Sequence, residues 1–292
     1  MVTRPRLSSK SPHVAILDAW SEGMIRLARQ FVSTPESARE VVQETWIAVV
    51  RGLAGFEGRS SLRTWVFRIL VNTAKRRGVQ EQRAIPMSSL QPTDEDTGPT
   101  VAPERFQDGS EPYPGHWKAF PTPWPDPEQA LLDGEVRTRV AAALDLLPSR
   151  QRTVIELRDV LGHDADEVCA ILDISAANQR VLLHRARAFV RGVMEEYFTA
   201  AETPRRRTTG ASVNDDLDCN ELVELVTDYL DGALDDAEVA RVAVHLRVCD
   251  GCDSYLAQFR ATIHVLGGQH SPSLADEARE NLLAAFRSIP PQ

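Results

Sequence analysis

Three residues near the C-terminal end of the chain have the types and the spacing of a metal site. His245 lies one helical turn before Cys249, and Cys249 forms a Cys-x-x-Cys pair with Cys252. Imidazole nitrogen and thiolate sulfur are ligands that tetrahedral zinc binds in proteins, so this spacing can close three corners of a zinc site. We therefore predict that this part of the chain holds one zinc ion.

The fourth ligand is less sharply defined. Cys219 lies 26 residues before His245 and is preferred, with Asp218 and His264 as alternatives. The remaining cysteine, Cys169, lies on an apolar helical face and fits a small buried residue. Unpaired thiols in a reducing compartment are the competing interpretation of the cluster, and a zinc ion that only staples a small domain is the simplest role for it.

A second group of residues has the chemistry of nucleic-acid binding. Trp65, Arg68, Asn72 and Arg76 recur at helical spacing, and no acidic residue occurs between Arg59 and Gln80. Guanidinium groups can bind phosphates, while a ring and an amide can bind exposed bases, as single-stranded DNA requires. A core tryptophan beside solvated arginines is an equally good interpretation of this stripe alone.

A third group lies on a helix that follows a tight turn. The segment 164–172 predicts a short helix, 173–175 a turn, and Ser175 the cap of a helix from Ala176 to Tyr197, which is the spacing of a helix-turn-helix. The long helix contains no acid from Ala176 to Met194. Its first turns carry side chains suited to base edges, Asn178, Gln179 and Arg180, and its later turns carry Arg185, Arg187 and Arg191, which suit phosphates. His184 lies on the same basic stripe as Arg180, Arg187 and Arg191. A structural three-helix bundle is the competing interpretation.

The remaining elements also have helical periodicity. Thr34 and Pro35 begin a helix whose apolar stripe predicts a core face, while Glu40, Gln43 and Glu44 lie opposite and read as solvated on sequence alone. We find no convincing period-two run, so the predicted fold class is all-α. Two small helical domains are joined by a Pro-rich linker and followed by a zinc-binding helical domain, with predicted ranges 13–83, 84–125 (disordered or extended linker), 126–198, 199–214 (linker), 215–266 and 272–288 (amphipathic helix).

Charge is distributed unevenly along the chain. The formal net charge is -9, yet residues 1–83 carry +7 and residues 201–292 carry -8. A basic head with an acidic tail is compatible with DNA binding, although the asymmetry alone is a weak pointer. Nine of the eighteen prolines fall in the linker, whose aromatic second half suggests extended chain docked on something, with an idle spacer as the alternative. No apolar run is long enough for a membrane span, and we expect a cytoplasmic protein.

Taken together, several ordered motifs resemble the extracytoplasmic-function (ECF) RNA polymerase sigma factors, which contain only regions two and four. Region two resembles the stretches that begin at Ala38, Phe56 and Val71, and region four resembles those at 147–159 and 184–187. The His-x-x-x-Cys-x-x-Cys segment and the Asp228 to Gly232 motif resemble zinc-binding anti-sigma domains. Two departures are Asp173, where glycine is usual in the turn, and the stretch from Asn178 to Leu182, so base preferences do not carry over.

The resemblance implies roles for each surface. Glu40, Gln43 and Glu44 would dock on the polymerase clamp helices. The -10 element would be melted and captured by Phe56, Arg59, Ser60, Ser61, Trp65, Arg68, Asn72, Lys75 and Arg76. The -35 element would be read by Ser175, Asn178, Gln179, Arg180, His184, Arg185, Arg187 and Arg191. The linker would thread toward the RNA exit path, and the zinc domain, with Cys219, His245, Cys249 and Cys252 as ligands, would regulate the sigma domains by intramolecular contact.

The predicted function is therefore a promoter-specificity subunit whose partners are core RNA polymerase and promoter DNA. The alternative is an autonomous DNA-binding zinc or redox sensor that does not act through polymerase. An enzyme is not supported, since we find no glycine-rich phosphate loop and no defensible catalytic constellation.

Overall fold

The computed structural model describes residues 12–81, 98–124, 134–200 and 217–267, with side chains from Trp20 onward. Within these ranges the regular elements are helices, as predicted, and the one β-type pairing is an isolated bridge between Phe106 and Trp117. The helices are α1 (Pro12–Ala28), α2 (Pro35–Gly52), α3 (Leu62–Gln80), α4 (Gly134–Leu146), α5 (Ser149–Ile155), α6 (Ala165–Leu172), α7 (Ala176–Ala200), α8 (Cys219–Leu230), α9 (Asp236–Val248) and α10 (Asp250–Gly267).

The chain divides into two compact units. Among the described residues, the first comprises 12–81 and 170–173, and the second comprises 98–124, 134–169, 174–200 and 217–267. The second unit therefore combines most of the helix-turn-helix part, part of the linker and the zinc-binding part, which the sequence had assigned to separate ranges.

In the first unit, helices α1, α2 and α3 pack on one another. The Thr34 side chain caps α2 by accepting a hydrogen bond from the Ser37 amide at 3.1 Å, and Pro35 occupies the first helical position. Ser61 caps α3 by accepting a hydrogen bond from the Thr64 amide at 3.1 Å. The apolar stripe predicted on α2 is buried at Ala38, Val41, Val42 and Val49, whereas Val50, also predicted to face the core, is exposed. Helix α3 buries Leu62, Val66 and Leu70.

In the second unit, α4, α5 and α7 form a helical bundle. A π-helical turn, Glu156–Val160, follows α5, and Gly162 ends it with φ 69°. Helix α6, the turn and α7 have the predicted helix-turn-helix order. Asp173 in the turn adopts φ 61°, a left-handed conformation that costs a non-glycine residue free energy.

Helices α8, α9 and α10 form the zinc module, which we define as residues 217–267. Asp218 caps α8, and Asp235 with Glu238 forms a reciprocal capping box on α9. One hydrophobic cluster contains Leu222, Val226, Cys252, Tyr255 and Phe259 from this module. Helices α8 and α10 both pack on α7.

The part of the linker at residues 98–124, hereafter the strap, is folded rather than disordered. A 3-10 turn, Pro103–Arg105, precedes the bridge between Phe106 and Trp117, and both aromatic rings are buried in the core of the zinc module. The aromatic residues of the linker suggested docked chain, with an idle spacer as the alternative. The burial of Phe106 and Trp117 fits docked chain, since buried rings remove apolar surface from water.

Some predicted features lie outside the described residues. These are the amphipathic helix at 272–288, residues 84–97 of the first linker and residues 201–214 of the second. None of the described helices combines the length and apolar character needed to cross a bilayer.

Candidate metal centre and nucleic-acid surfaces

The zinc module brings four sequence-distant ligands together. Cys219 begins α8, His245 lies in the last turn of α9, Cys249 joins α9 to α10, and Cys252 lies in the first turn of α10. All four are buried, and their ligand atoms lie within 4.8 Å of one another. Of the alternatives for the fourth ligand, Asp218 serves as a helix cap and His264 is exposed.

The distances in this cluster fit a tetrahedral zinc ion. Zinc bonds of about 2.3 Å to sulfur and about 2.0 Å to nitrogen imply ligand separations of about 3.5–3.8 Å. The Cys219 sulfur lies 3.7 Å from the Cys249 sulfur and 3.6 Å from Nε2 of His245. His245 Nδ1 donates to the Leu217 carbonyl at 2.9 Å, and since a carbonyl only accepts, Nε2 keeps its lone pair for a metal. One zinc ion therefore fits these four residues.

The thiols of the cluster also have the electrostatics of a cation site. Hydrogen bonds from Cys219 and Cys252 hold the pKa of Cys249 well below its usual range. The hydrogen bond to Cys249 raises the pKa of Cys219 to about 12, and hydrogen bonding to both partners, together with burial, raises that of Cys252. Three clustered thiols thus cannot all ionise together without a compensating positive charge. A divalent cation supplies the positive charge that lets all three be thiolates together.

The first unit presents an aromatic pair beside a basic helix face. Phe56 follows the 3-10 turn Leu53–Gly55, and its ring centroid lies 5.0 Å from that of Trp65 on α3. A Cβ at Gly52 would lie 3.2 Å from the Trp65 ring, so the absence of a side chain there lets the ring approach α2. The other residues predicted for this face are exposed or half-buried, namely Arg59, Ser60, Ser61, Arg68, Asn72, Lys75 and Arg76.

Glu40, Gln43 and Glu44 are exposed on α2, as a docking surface requires. Arg77 of α3 pairs with Glu40 and lies 3.8 Å from Glu44, and Arg76 lies 3.9 Å from Glu44. Exposed pairs of this kind contribute little stability, so a partner can displace them at small cost.

Helix α7 begins as predicted, because the Asn178 amide donates to the Ser175 hydroxyl at 3.2 Å. The residues predicted to contact base edges and phosphates do not form an open surface here. Asn178, Gln179, His184, Arg187 and Arg191 are buried, Arg180 and Arg185 are half-buried, and Ser175 is exposed.

The prediction that Arg187 binds phosphate does not fit this arrangement. Its guanidinium donates two hydrogen bonds to Asp159, at 2.7 and 2.8 Å, and a third to Asp231 of the zinc module at 3.2 Å. Burial lowers the pKa of Arg187, but attraction to Asp159 and Asp231 outweighs that effect and raises it. Arg187 is thus a permanently charged structural residue, which helical periodicity alone could not distinguish from a phosphate ligand.

Acidic residues of α8 lie against the basic stripe of α7. Glu224 lies 3.1 Å from Nε2 of His184, whose Nδ1 lies 3.0 Å from the Thr227 hydroxyl. Asp228 lies 3.7 Å from the guanidinium of Arg180. Sequence reasoning missed these partners, although Glu224, Asp228 and Asp231 recur at i, i+4 and i+7, a regular spacing that marks one acidic face.

The strap contacts the same helices. Arg105 forms a two-point ion pair with Glu195 of α7 at 2.7 and 2.8 Å, and Thr100 donates through its amide and hydroxyl to Glu224. Arg185 donates to the Gly98 carbonyl, and Arg191 donates to Gln258 of α10 at 2.8 Å. The predicted DNA-reading helix is therefore bonded to both the strap and the zinc module.

Three family models match separate parts of the chain. Sigma-70 region 2 matches residues 17–84, Sigma-70 region 4 matches residues 137–190, and a zinc-finger family matches residues 219–252. The last match begins at Cys219 and ends at Cys252, the first and last of the four clustered ligands.

Curated relatives agree with the first two matches. The ECF RNA polymerase sigma-E factors of Escherichia coli (strain K12) and Salmonella typhimurium (strain LT2) are each 33% identical to this chain over 148 residues. Each alignment covers 51% of this chain and 69% of the relative. The predicted resemblance is thereby confirmed, and the chain belongs to the ECF RNA polymerase sigma factors, with a zinc-finger domain at its C-terminal side.

Proposed function

We propose that this sigma factor is held inactive by its own zinc module, whose α8 covers the DNA-reading face of α7. Sigma factors direct core RNA polymerase to promoters, and we assign three surfaces of the described chain to the polymerase, -10 and -35 contacts. The proposed domains keep the ranges predicted from sequence. The strap belongs to the second unit, which contains both α7 and the zinc module.

The first unit would supply the -10 contacts. The ring pair of Phe56 and Trp65 suits capture of unstacked bases, and the exposed Arg68, Asn72 and Arg76 suit the adjoining strand, with Arg59, Ser60, Ser61 and Lys75 at its border. Glu40, Gln43 and Glu44 would dock on polymerase. Their exposure beside easily broken ion pairs supports this role.

Helix α7 would supply the -35 contacts through Ser175, Asn178, Gln179, Arg180, His184, Arg185 and Arg191, once these residues are uncovered. Arg187 is left out of this set because Asp159, from its own bundle, already satisfies it. The other residues predicted for the -35 element stay in the proposed set.

One observation supports inhibition, rather than activation, by the zinc module. Glu224 and Asp228 lie on His184 and Arg180, so the carboxylates of α8 occupy positions where phosphates or base acceptors would meet the same side chains. A duplex and α8 cannot use those donors together. Because the two helices belong to one chain, even a weak contact inhibits at a high effective concentration.

Run-off transcription with core polymerase tests this proposal. Three proteins are compared on a promoter library: the full chain, a chain ending at residue 205, and Glu224→Gln combined with Asp228→Asn. We expect both altered proteins to exceed the full chain several-fold. Glu221→Gln, an exposed acid on the same helix, should leave the activity unchanged.

Equal transcription from all these proteins would overturn the masking proposal while leaving the sigma factor assignment intact. Every one of these proteins should give transcription only when core polymerase is present. Tight footprints from the free protein would instead favour an autonomous DNA-binding regulator.

A further inference from the structure

The strap lies directly on the metal cluster. Trp117 and His116 reach two of its sulfurs, while the strap belongs, in sequence, to the chain between α3 and α4. No family match covers residues 98–124. We propose that the strap is part of the outer ligand shell of the zinc centre, so that strap docking and zinc binding stabilise each other.

The first argument is the hydrogen bond from Trp117. Its indole Nε1 lies 3.3 Å from the sulfur of Cys252, and both residues are buried, at 3% and 0% exposure. An indole N–H can only donate, so the sulfur is the acceptor. A metal-bound thiolate is a stronger acceptor than a thiol, and this hydrogen bond therefore favours the metal-loaded state.

His116 makes an equivalent contact with a second sulfur of the cluster. Its Nδ1 lies 3.3 Å from the sulfur of Cys219, and its ring stacks on that of His245 with centroids 6.2 Å apart and an interplanar angle of 8°. When Cys219 is a metal-bound thiolate it has no proton to give, so His116 must be the donor. One dipeptide of the strap thus contacts two cysteine ligands and one histidine ligand.

The second argument is that the backbones are shaped for close approach. Asn220 donates its amide to the Gly115 carbonyl at 3.0 Å, and a Cβ on Gly115, which has φ 80°, would lie 2.2 Å from the Asp218 carboxylate. Gly251 lies between the two cysteines of the Cys-x-x-Cys pair, and a Cβ there would lie 2.6 Å from the Phe120 ring. Only glycine fits at both points of contact.

The third argument is that the strap is ordered around Trp117. The amides of Gln107, Gly115 and Lys118 donate to strap carbonyls at 2.8 Å, and Arg105 lies over the Trp117 ring at 5.0 Å. These contacts limit the orientations open to the indole, so less conformational entropy is lost on forming the outer shell. By reciprocity, a strap that raises zinc affinity must itself be held more firmly when zinc is bound.

The coupling gives the zinc centre control over a connecting segment. When the strap is docked, residues 98–124 are held against the zinc module. When zinc leaves, the outer-shell bonds weaken and these residues are held less firmly. This coupling can be measured without polymerase or DNA.

The test compares two tryptophans of the strap in the full-length protein. Zinc affinity is measured by competition with a chromophoric chelator. Trp117→Phe keeps an aromatic ring but removes the donor, and we expect about 10-fold weaker zinc binding, as for other outer-shell substitutions. Trp124→Phe is the matched control, because Trp124 packs on Phe198, 5.3 Å between centroids, and should bind zinc as the parent does.

A second pair uses the two strap glycines and a second readout. Gly115→Ala should weaken zinc binding and, at saturating zinc, speed amide hydrogen exchange in residues 105–118 at least several-fold. Gly109→Ala should do neither, because a Cβ at Gly109 meets no atom within 4 Å. Exchange in α10 of the zinc-saturated variants checks that the module is folded.

Unchanged zinc affinity in both Trp117→Phe and Gly115→Ala would overturn the proposal. Equal strap exchange in the zinc-loaded and zinc-stripped parent protein would overturn it as well, and that measurement needs no variant.

Discussion

Arg187 and Asp159 form a two-point ion pair of 2.7 and 2.8 Å in which both side chains are 2% exposed. The pair joins α7 to the π-helical turn after α5, and Asp231 of the zinc module adds a third contact to the same guanidinium. A buried charge with such partners is costly to leave unpaired, whereas the third contact adds only to what Asp159 already provides.

Arg187→Met should therefore destabilise the second unit strongly. Removing one partner of a buried pair leaves the Asp159 charge uncompensated, which costs about 3–5 kcal/mol. Asp231→Asn should cost much less, because Asp159 still neutralises the guanidinium. Chemical denaturation followed by circular dichroism measures both. Equal losses of unfolding free energy in the two variants would contradict this ranking. Arg180→Lys, at a half-buried residue of α7, serves as the control.

Zinc removal should unfold the zinc module. Its three helices enclose a small core, and in domains of this size metal binding supplies much of the folding free energy. A chelator should lower the melting temperature of the second unit and reduce helix content, while Cys249→Ser should do so without chelator. Added zinc should raise the melting temperature in a concentration-dependent way for the parent protein. A melting temperature independent of zinc would contradict a structural role for the metal.

Acid should weaken the contacts of α7 with α8 and the strap. Burial raises the pKa of Glu224, but hydrogen bonds from His184 and the Thr100 amide outweigh it and lower the pKa overall. Glu195 behaves alike, since hydrogen bonds from Arg105 and Arg191 outweigh its burial. Depressed carboxyl pKa values contribute stability that is present above the unfolded value, about 4.3 for glutamate, and is lost as pH falls through the folded value.

This pH dependence can be measured as the free energy of unfolding between pH 3 and pH 7. Glu224→Gln should flatten the acid limb relative to the parent, because it removes one titrating group. The raised pKa of Asp228, caused first by burial, acts in the opposite direction and reduces the slope. An unchanged acid limb in Glu224→Gln would show that the contact with His184 adds nothing to stability.

How far the sequence predicted the molecule depended on the range of each interaction. Helix periodicity and caps depend on residues three or four apart, so α2 with Thr34 and the zinc ligands His245, Cys249 and Cys252 could be predicted from spacing. Cys219, 26 residues before His245, was only the preferred choice among three candidates for the fourth ligand. The strap could not, because its aromatic residues fit either a spacer or a docked segment until Gly251 and Trp117 are seen in contact. The pairing of Glu224 with His184 joins residues 40 positions apart, and a stripe of basic residues predicts equally well a DNA face or an intramolecular one.

The ring pair of the first unit gives the last prediction. If Phe56 and Trp65 capture unstacked bases, Trp65→Ala should weaken polymerase-dependent binding to a single-stranded -10 fragment by about 1–3 kcal/mol, because one base loses its stacking partner. In a chain ending at residue 205, Trp65→Ala should leave the affinity for a -35 duplex unchanged, since Trp65 lies in the first unit and α7 in the second. Arg39→Ala, which removes an exposed residue of α2 paired with Glu36, is the surface control. The single-stranded fragment, mixed with holoenzyme and followed by fluorescence anisotropy, distinguishes this role from a purely structural one. A structural Trp65 would instead lower the melting temperature of the first unit and change both DNA affinities or neither.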